Sequence, residues 1–318
     1  MLIAISARMS SSRLPGKPLL KLNGKNSIQR LVDKANKIIS NDKIFVLTST
    51  LTVDNEIVNY CQLKKINYRR GHPIYVLKRL INLAKEFPKE EKIALIGSDC
   101  PLMDFEFFEN LTNYLNKKNL EKYELITSYF PNTFPAGIEF NIVSKSWLLS
   151  LDLDDLHNSE LEHCFNKLLL SKKRNKVLNI KSNTNLSMLN FSLDTKDDFN
   201  YIENILHLNP KHTISDLIKT IIKNEKLILE TKKRIQPFVE NAFISSKGMH
   251  ASIESKIIDT VRDGFDAFNK NNPKKGIKKL NEASEVLNGF TNNKDIKQLT
   301  IKSITKDLFE NFNLALHN

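Results

Sequence analysis

The sequence predicts an α/β fold built on a mostly parallel central sheet, and three observations carry that expectation. Short β-rich apolar runs at 2–7, 43–48 and 92–97 alternate with segments of helical apolar spacing at 27–38, 74–87 and 105–116. Such alternation buries a parallel sheet between helices on both faces. Two of the strands run directly into polar segments, "ARMSSSRLPGK" after the first and "GSDCPL" at the end of the third. Ligands of parallel sheets collect outside the carboxyl ends of the strands, so both segments fall where a site belongs.

Further along, 134–144 ("FPAGIEFNIVS") reads as a turn followed by a strand. Residues 190–202 ("NFSLDTKDDFNYI") read as a short strand entering a helix, with Thr195 and Asp198 giving an N-cap signal three residues apart. A further helix is expected over 214–222, after Pro210. Beyond about 230 the pattern changes. Ile253, Ile257, Val261, Phe265 and Phe268 share one helical face, and Ile277, Leu280, Ala283 and Leu287 another, with "NKNNPKKG" as the turn between them. A third face runs through Ile301, Ile304, Leu308 and Phe312. The expected organisation is therefore an α/β domain over 1–229 and a separate all-α bundle over 230–318, the latter a candidate for oligomerisation or for a pathway partner.

Composition narrows the function classes. The 318 residues are 41% hydrophobic and 26% charged, an ordinary globular balance. No apolar run approaches the ~20 residues needed to span a bilayer, and the N-terminus lacks the segments of a secretory signal, so a cytoplasmic protein without a membrane partner is expected. Cys61, Cys100 and Cys164 are too scattered for a disulfide framework or a metal knuckle. The net charge of +12 suits nucleic acid, an anionic surface or an anionic small substrate. The lysines are dispersed among acids without a basic stripe or interleaved aromatics, which argues against nucleic acid.

A strand ending in an arginine-containing loop closed by Pro-Gly-Lys suits a polyphosphate, because guanidinium and ammonium groups supply charge and loop amides supply donors. A Walker loop is excluded, since it would need glycine at Ser11 and a hydroxyl at Pro18, and the glycines of a dinucleotide fingerprint are missing.

The string "ARMSSSRLPGKPLLKLNGK" resembles the N-terminal signature of the cytidylyltransferases that activate acidic sugars, the acylneuraminate and 3-deoxy-manno-octulosonate cytidylyltransferase family, and most of all its spore-coat polysaccharide branch. Later landmarks follow in order: "RRGHPIYVLKRL" (69–80), "GSDCPLMD" (97–104), "FPAGIEFNIVS", "LEHC" (161–164) and "LDTKDDF" (193–199). The resemblance covers residues 1 to about 229. It implies a GT-A-like, Rossmann-like nucleotidyltransferase fold, CTP as donor, Mg²⁺ as cofactor, and transfer of CMP to a sugar or phosphonate acceptor with release of pyrophosphate. By matching positions, the backbone around Ala7 meets the base, with Arg8, Arg13 and Lys17 on the triphosphate. Gly71 and Arg79 line the nucleotide pocket, Asp99 and Asp194 hold the metal, and Glu139, Glu162 and His163 face the acceptor. Arg8, Lys17 and Asp99 carry the catalytic roles.

Plain structural readings stand beside these. Asp99 or Asp194 could simply cap the helix that follows, Cys100 reads as a packing residue, and His163 could be a structural hydrogen-bonding histidine. The other histidines, His72, His157, His207, His212, His250 and His317, show no metal-ligand spacing. The sequence also departs from the family pattern on the acceptor side: Tyr75 and Ala136 replace aspartates, Asn141 replaces another acid, and Leu161 replaces an arginine that would suit a carboxylate. A non-catalytic nucleotide-binding scaffold of a glycan pathway is the alternative those changes allow.

Overall fold

The computed structural model describes residues 1–120, 122–130, 132–156, 158–169, 174–208, 213–240, 263, 267, 272, 274, 275, 277–280, 282, 297–302 and 305–317. The first elements are β1 (Leu2–Ser6), a short hairpin of β2 (Lys21–Leu22) and β3 (Lys25–Asn26), α1 (Ser27–Ala35), β4 (Ile44–Ser49), α2 (Asn55–Lys64), β5 (Tyr68–Gly71) and α3 (Val76–Glu86). Next come β6 (Lys92–Gly97), α4 (Phe105–Lys117), β7 (Leu125–Thr127), β8 (Asn141–Ser144), α5 (Lys145–Leu149), α6 (Asn158–Glu162), α7 (Asn166–Leu169) and β9 (Val177–Ser182). The remainder comprises α8 (Lys196–Leu208), α9 (Ile214–Ile222), α10 (Glu225–Glu240), β10 (Lys297–Ile301) and α11 (Lys306–His317).

Among the described residues the main sheet has eight strands in the order β10-β9-β7-β8-β6-β1-β4-β5. Only β8 runs antiparallel to its neighbours, β6 and β7; the remaining pairs are parallel. The two faces of the sheet can be read from β1. Ile3 and Ile5 join one apolar cluster with α1, α4 and α9, while Leu2 and Ala4 join a second with α3 and α5. A strand buried on both faces needs a continuous apolar run, which is why "LIAI" carries no polar alternation. The helices show the complementary pattern: α1 buries Ile28, Leu31, Val32 and Ala35, and Asn26 caps it by accepting from the Gln29 N–H at 2.9 Å.

The chain leaves β1 toward β4 and β5 on one side and places β6 on the other. The resulting crevice outside the carboxyl ends of β1 and β6 is the switch point at which such sheets bind ligands.

Three features differ from expectation. The strand expected near 190 reduces to a single bridge between Ala136 and Asn190, after which the chain turns away from the sheet. Second, the C-terminal region is helical at α10 and α11, but residues 297–301 form a strand that extends the sheet parallel to β9, so an all-α bundle is corrected for these residues. Third, α10 runs through the expected boundary at 229/230, and Phe312 is fully buried in the same cluster as Ile214 and Leu217. These C-terminal residues complete the core of the α/β unit. The expected face from Ile253 to Phe268 falls on residues outside those described apart from their intervening positions, as do Ala283, Leu287 and Ile304.

Candidate active site

The loop after β1 is fixed by its backbone before its side chains do anything. The Ala7 N–H donates to Leu47 O at 3.0 Å, and the Ser11 and Gly16 N–H groups both donate to Met9 O at 2.9 Å. Asp54, fully buried, accepts from the Met9 N–H at 2.7 Å and from the backbone N–H and hydroxyl of Ser49. Sequence reasoning missed Asp54; its only advance signal is an acid lying just beyond an apolar strand. Ser11 Oγ accepts from the Leu14 N–H at 3.4 Å, so this serine serves the loop's own turn.

The loop delivers Lys17 to the ends of two other segments. Its ammonium donates to Asp99 Oδ2 at 2.9 Å and to Asp194 Oδ1 at 2.8 Å, and Arg13 Nη2 lies 3.4 Å from the same Asp194 oxygen. Burial alone would push the Lys17 pKa down, but the two carboxylates outweigh it and hold it above the ordinary value. The Leu193 N–H donates to Asp99 O at 2.8 Å, tying the two aspartate-bearing segments together. Asp99 and Asp194, 82 and 177 positions from Lys17 in sequence, thus meet at one cation.

The capping alternative for Asp99 fails on geometry. The cap of the following helix, α4, is Asp104, which accepts from the Phe107 N–H at 2.9 Å. Asp194 is not a cap either: Asp198 and Thr195 share that task at α8.

A cleft of about 570 Å³ opens beside this cluster, lined by Ser6, Arg13, Gly97, Asp99 and Asp194 together with Tyr129, Glu139, Asn141, Glu162, His163 and Asn166. Glu139 is 8% exposed, accepts from the Gly137 N–H at 2.6 Å and from Asn132 Nδ2 at 3.2 Å, and burial raises its pKa to about 7. Glu162 and His163 are exposed on the cleft wall. Asn141, expected on the acceptor side, does line the cleft, whereas Tyr129 and Asn166 were not anticipated there; the Asn166 Nδ2 is buried with no partner among the described residues. Leu161 turns away into the apolar cluster with Cys164 and Phe165, and Cys100 is a buried thiol whose pKa burial pushes well up, in keeping with packing.

Arg8 and Arg79 form a second positive point at the other side of β1. Arg8 Nη1 donates to Pro73 O at 3.1 Å, which carries it toward the 72–75 loop rather than toward the aspartates. Arg79 is 2% exposed; its Nη2 reaches Ser6 Oγ at 3.4 Å, and its Nε and Nη1 have no partner among the described residues. Burial, with Arg8 adding repulsion, lowers its pKa to about 10, so it remains charged. Gly71 lies against it: a Cβ there would stand 2.8 Å from Arg79 Cγ. A buried guanidinium with unmet donors calls for an electron-rich ligand.

The donor set at Lys17 also bears on a metal. Among the described residues no group of three or more acidic, His or Cys side chains could cage an ion. Asp99 and Asp194 instead converge on one cation, Lys17, with hard oxygen donors. A pair of that kind fits a divalent ion that takes its remaining ligands from water and phosphate.

Known proteins similar to this chain include cytidylyltransferases. Residues 2–135 match the family model described as Cytidylyltransferase. The chain is 32% identical over 143 residues to an uncharacterised protein of Methanocaldococcus jannaschii, covering 45% of this chain and 58% of that one. It is also 32% identical over 121 residues to 3-deoxy-manno-octulosonate cytidylyltransferase of Acinetobacter baumannii, covering 36% and 46% respectively. The chain thus spans about half the length of the curated relatives it matches. A solved cytidylyltransferase from Leptospira borgpetersenii superposes with a TM-score of 0.65 at 24% identity, covering 71% of this chain and 95% of that one. The chain therefore shares the Rossmann-like fold of that cytidylyltransferase, a mostly parallel sheet flanked by helices.

Proposed function

We propose that the protein is a cytidylyltransferase that transfers CMP from CTP to a sugar or phosphonate acceptor, of the spore-coat polysaccharide branch its N-terminal signature resembles. The observation that carries the reading is the joining of Lys17 to both Asp99 and Asp194 at the switch point of the sheet. In the proposed reaction an acceptor oxygen attacks the α-phosphorus, the bond from that phosphorus to the β-phosphate's bridging oxygen breaks, and pyrophosphate leaves with the electron pair.

Such a transfer is mostly positioning and charge neutralisation. Lys17 and Arg13 would turn from the aspartates onto the phosphates, and Arg8 and Arg79 would meet the nucleotide from the far side of β1. Asp99 and Asp194 would hold a divalent ion, Mg²⁺ in this reading. Such an ion supplies positive charge that offsets the charge developing on the phosphates. Glu139, Glu162 and His163 would face the acceptor.

The test is magnesium-dependent pyrophosphate release from CTP, UTP, ATP and GTP against ulosonic acids, sugar phosphates and phosphonates, with Asp99→Ala as control. Acceptor-dependent release from CTP, lost in the variant, supports the reading. Release that is equal in the variant, or confined to another nucleotide, contradicts it.

A further inference from the structure

Arg234 lies on α10, beyond the segment that carries the family resemblance and beyond the residues matched by the family model. Its Nη2 donates to Asn190 O at 3.2 Å and to Asp198 Oδ1, and its Cζ sits 4.5 Å from the centre of the Tyr201 ring. Asn190 and Asp198 are the two ends of the short segment whose middle residue is Asp194. One guanidinium nitrogen therefore clasps both ends of the stretch that delivers this carboxylate to the cleft.

Asp198 carries the contact inward. While Oδ1 takes Arg234, Oδ2 accepts from the backbone N–H of Asp194 at 3.1 Å, from the Thr195 N–H at 2.7 Å and from Thr195 Oγ1 at 2.8 Å. Asp198 is 5% exposed, so its two oxygens are oriented by these protein partners rather than by solvent. Arg234 is itself held: Tyr201 OH and Thr231 Oγ1 are 2.7 Å apart, and Thr231 lies one helical turn before Arg234. On the opposite side the Phe191 and Leu193 N–H groups fasten the same segment to Ala136 O and Asp99 O.

We propose that Arg234 is a positioning residue, acting through Asp198 to hold Asp194 where it and Asp99 bind one divalent ion. The inference rests on reading those two aspartates as the metal pair. It makes α10 part of the active-site machinery. Outer contacts that orient a metal ligand typically change metal affinity by about 10- to 100-fold when removed, which sets the expected size.

The test uses the full chain as wild type, Arg234→Met, Arg234→Lys and Asp198→Asn/Arg234→Met beside Asp198→Asn alone. CTP affinity is measured by calorimetry with Mn²⁺ and with chelator, and the ratio of the two is the metal-dependent gain. Arg234→Met is expected to reduce that gain about 10-fold while leaving affinity in chelator unchanged. Lysine should restore most of it, and in the Asp198→Asn background the arginine substitution should add little. A lowered melting temperature with an unchanged gain would make Arg234 merely structural and overturn the proposal. Wild-type CTP binding that gains nothing from Mn²⁺ would instead overturn the metal reading itself, and this inference with it.

Discussion

Gly97 ends β6 with Asp99 Oδ1 standing where a Cβ of its own would have to go. Gly97→Ala is therefore expected to push the carboxylate away from Lys17 and to lower pyrophosphate release from CTP by about 100-fold, the scale of a misplacement near 1 Å. A far-ultraviolet spectrum unchanged from wild type would show that the loss is local. Glu139 gives a second prediction at this scale. Its folded pKa of about 7 stands above the ordinary 4.5 because burial penalises the charged form. A carboxyl with a raised folded pKa contributes stability that is full below the unfolded value and is lost as pH rises through the folded one. Between about pH 4.5 and 7 the wild type should lose on the order of 3 kcal/mol that Glu139→Gln does not lose, measured by urea unfolding across that range. Parallel pH profiles for the two proteins would refute the assignment. Lys17, Asp99 and Asp194 were visible in the sequence because each sits in a contiguous motif. Asp54 and Arg234 were not, because their roles arise from contacts with remote segments and their residue types are ordinary where they stand.

At the scale of elements, the start of α8 joins stability to the site. Thr195 Oγ1 accepts from the Asp198 N–H at 3.1 Å while Asp198 accepts in return, so the N-cap signal read from the sequence is a reciprocal cap. Thr195→Ala should cost about 1 kcal/mol in denaturant unfolding and weaken metal-dependent CTP binding as well, since the cap adjoins Asp194. A stability loss without any binding effect would separate the cap from the site. The buried strands β1, β4 and β6 and the helix α9 were legible because continuous apolar runs and helical spacing are strong signals. β5 was not, because "YRRG" is a short edge strand whose arginines reach sideways to Glu86 and Asn55. β10 was hidden differently: Ile301 also fits a helical spacing with Leu308 and Phe312, and only its pairing with β9 decides between the two periods.

On the scale of the whole molecule, the C-terminal residues close the sheet at the β9 edge and lay α11 against α9 and α10. Phe312→Ala should then destabilise the α/β unit itself by about 3–5 kcal/mol, in one transition seen by every probe. Two separate transitions, with residues 1–229 unaffected, would instead show an independent C-terminal unit. No described helix is long and apolar enough to cross a membrane, and a net charge of +12 favours anionic ligands, to which Lys17, Arg13, Arg8 and Arg79 contribute at the switch point. In the proposed function the Lys17, Asp99 and Asp194 cluster receives a metal-bound triphosphate. Anomalous diffraction from crystals grown with CTP and Mn²⁺ tests it most directly. A manganese peak is expected in contact with both carboxylates at about 2.1 Å, the scale of tight oxygen coordination, with Lys17 moved onto the phosphates. A nucleotide bound while Lys17 stays between the two aspartates, with manganese elsewhere, would contradict it.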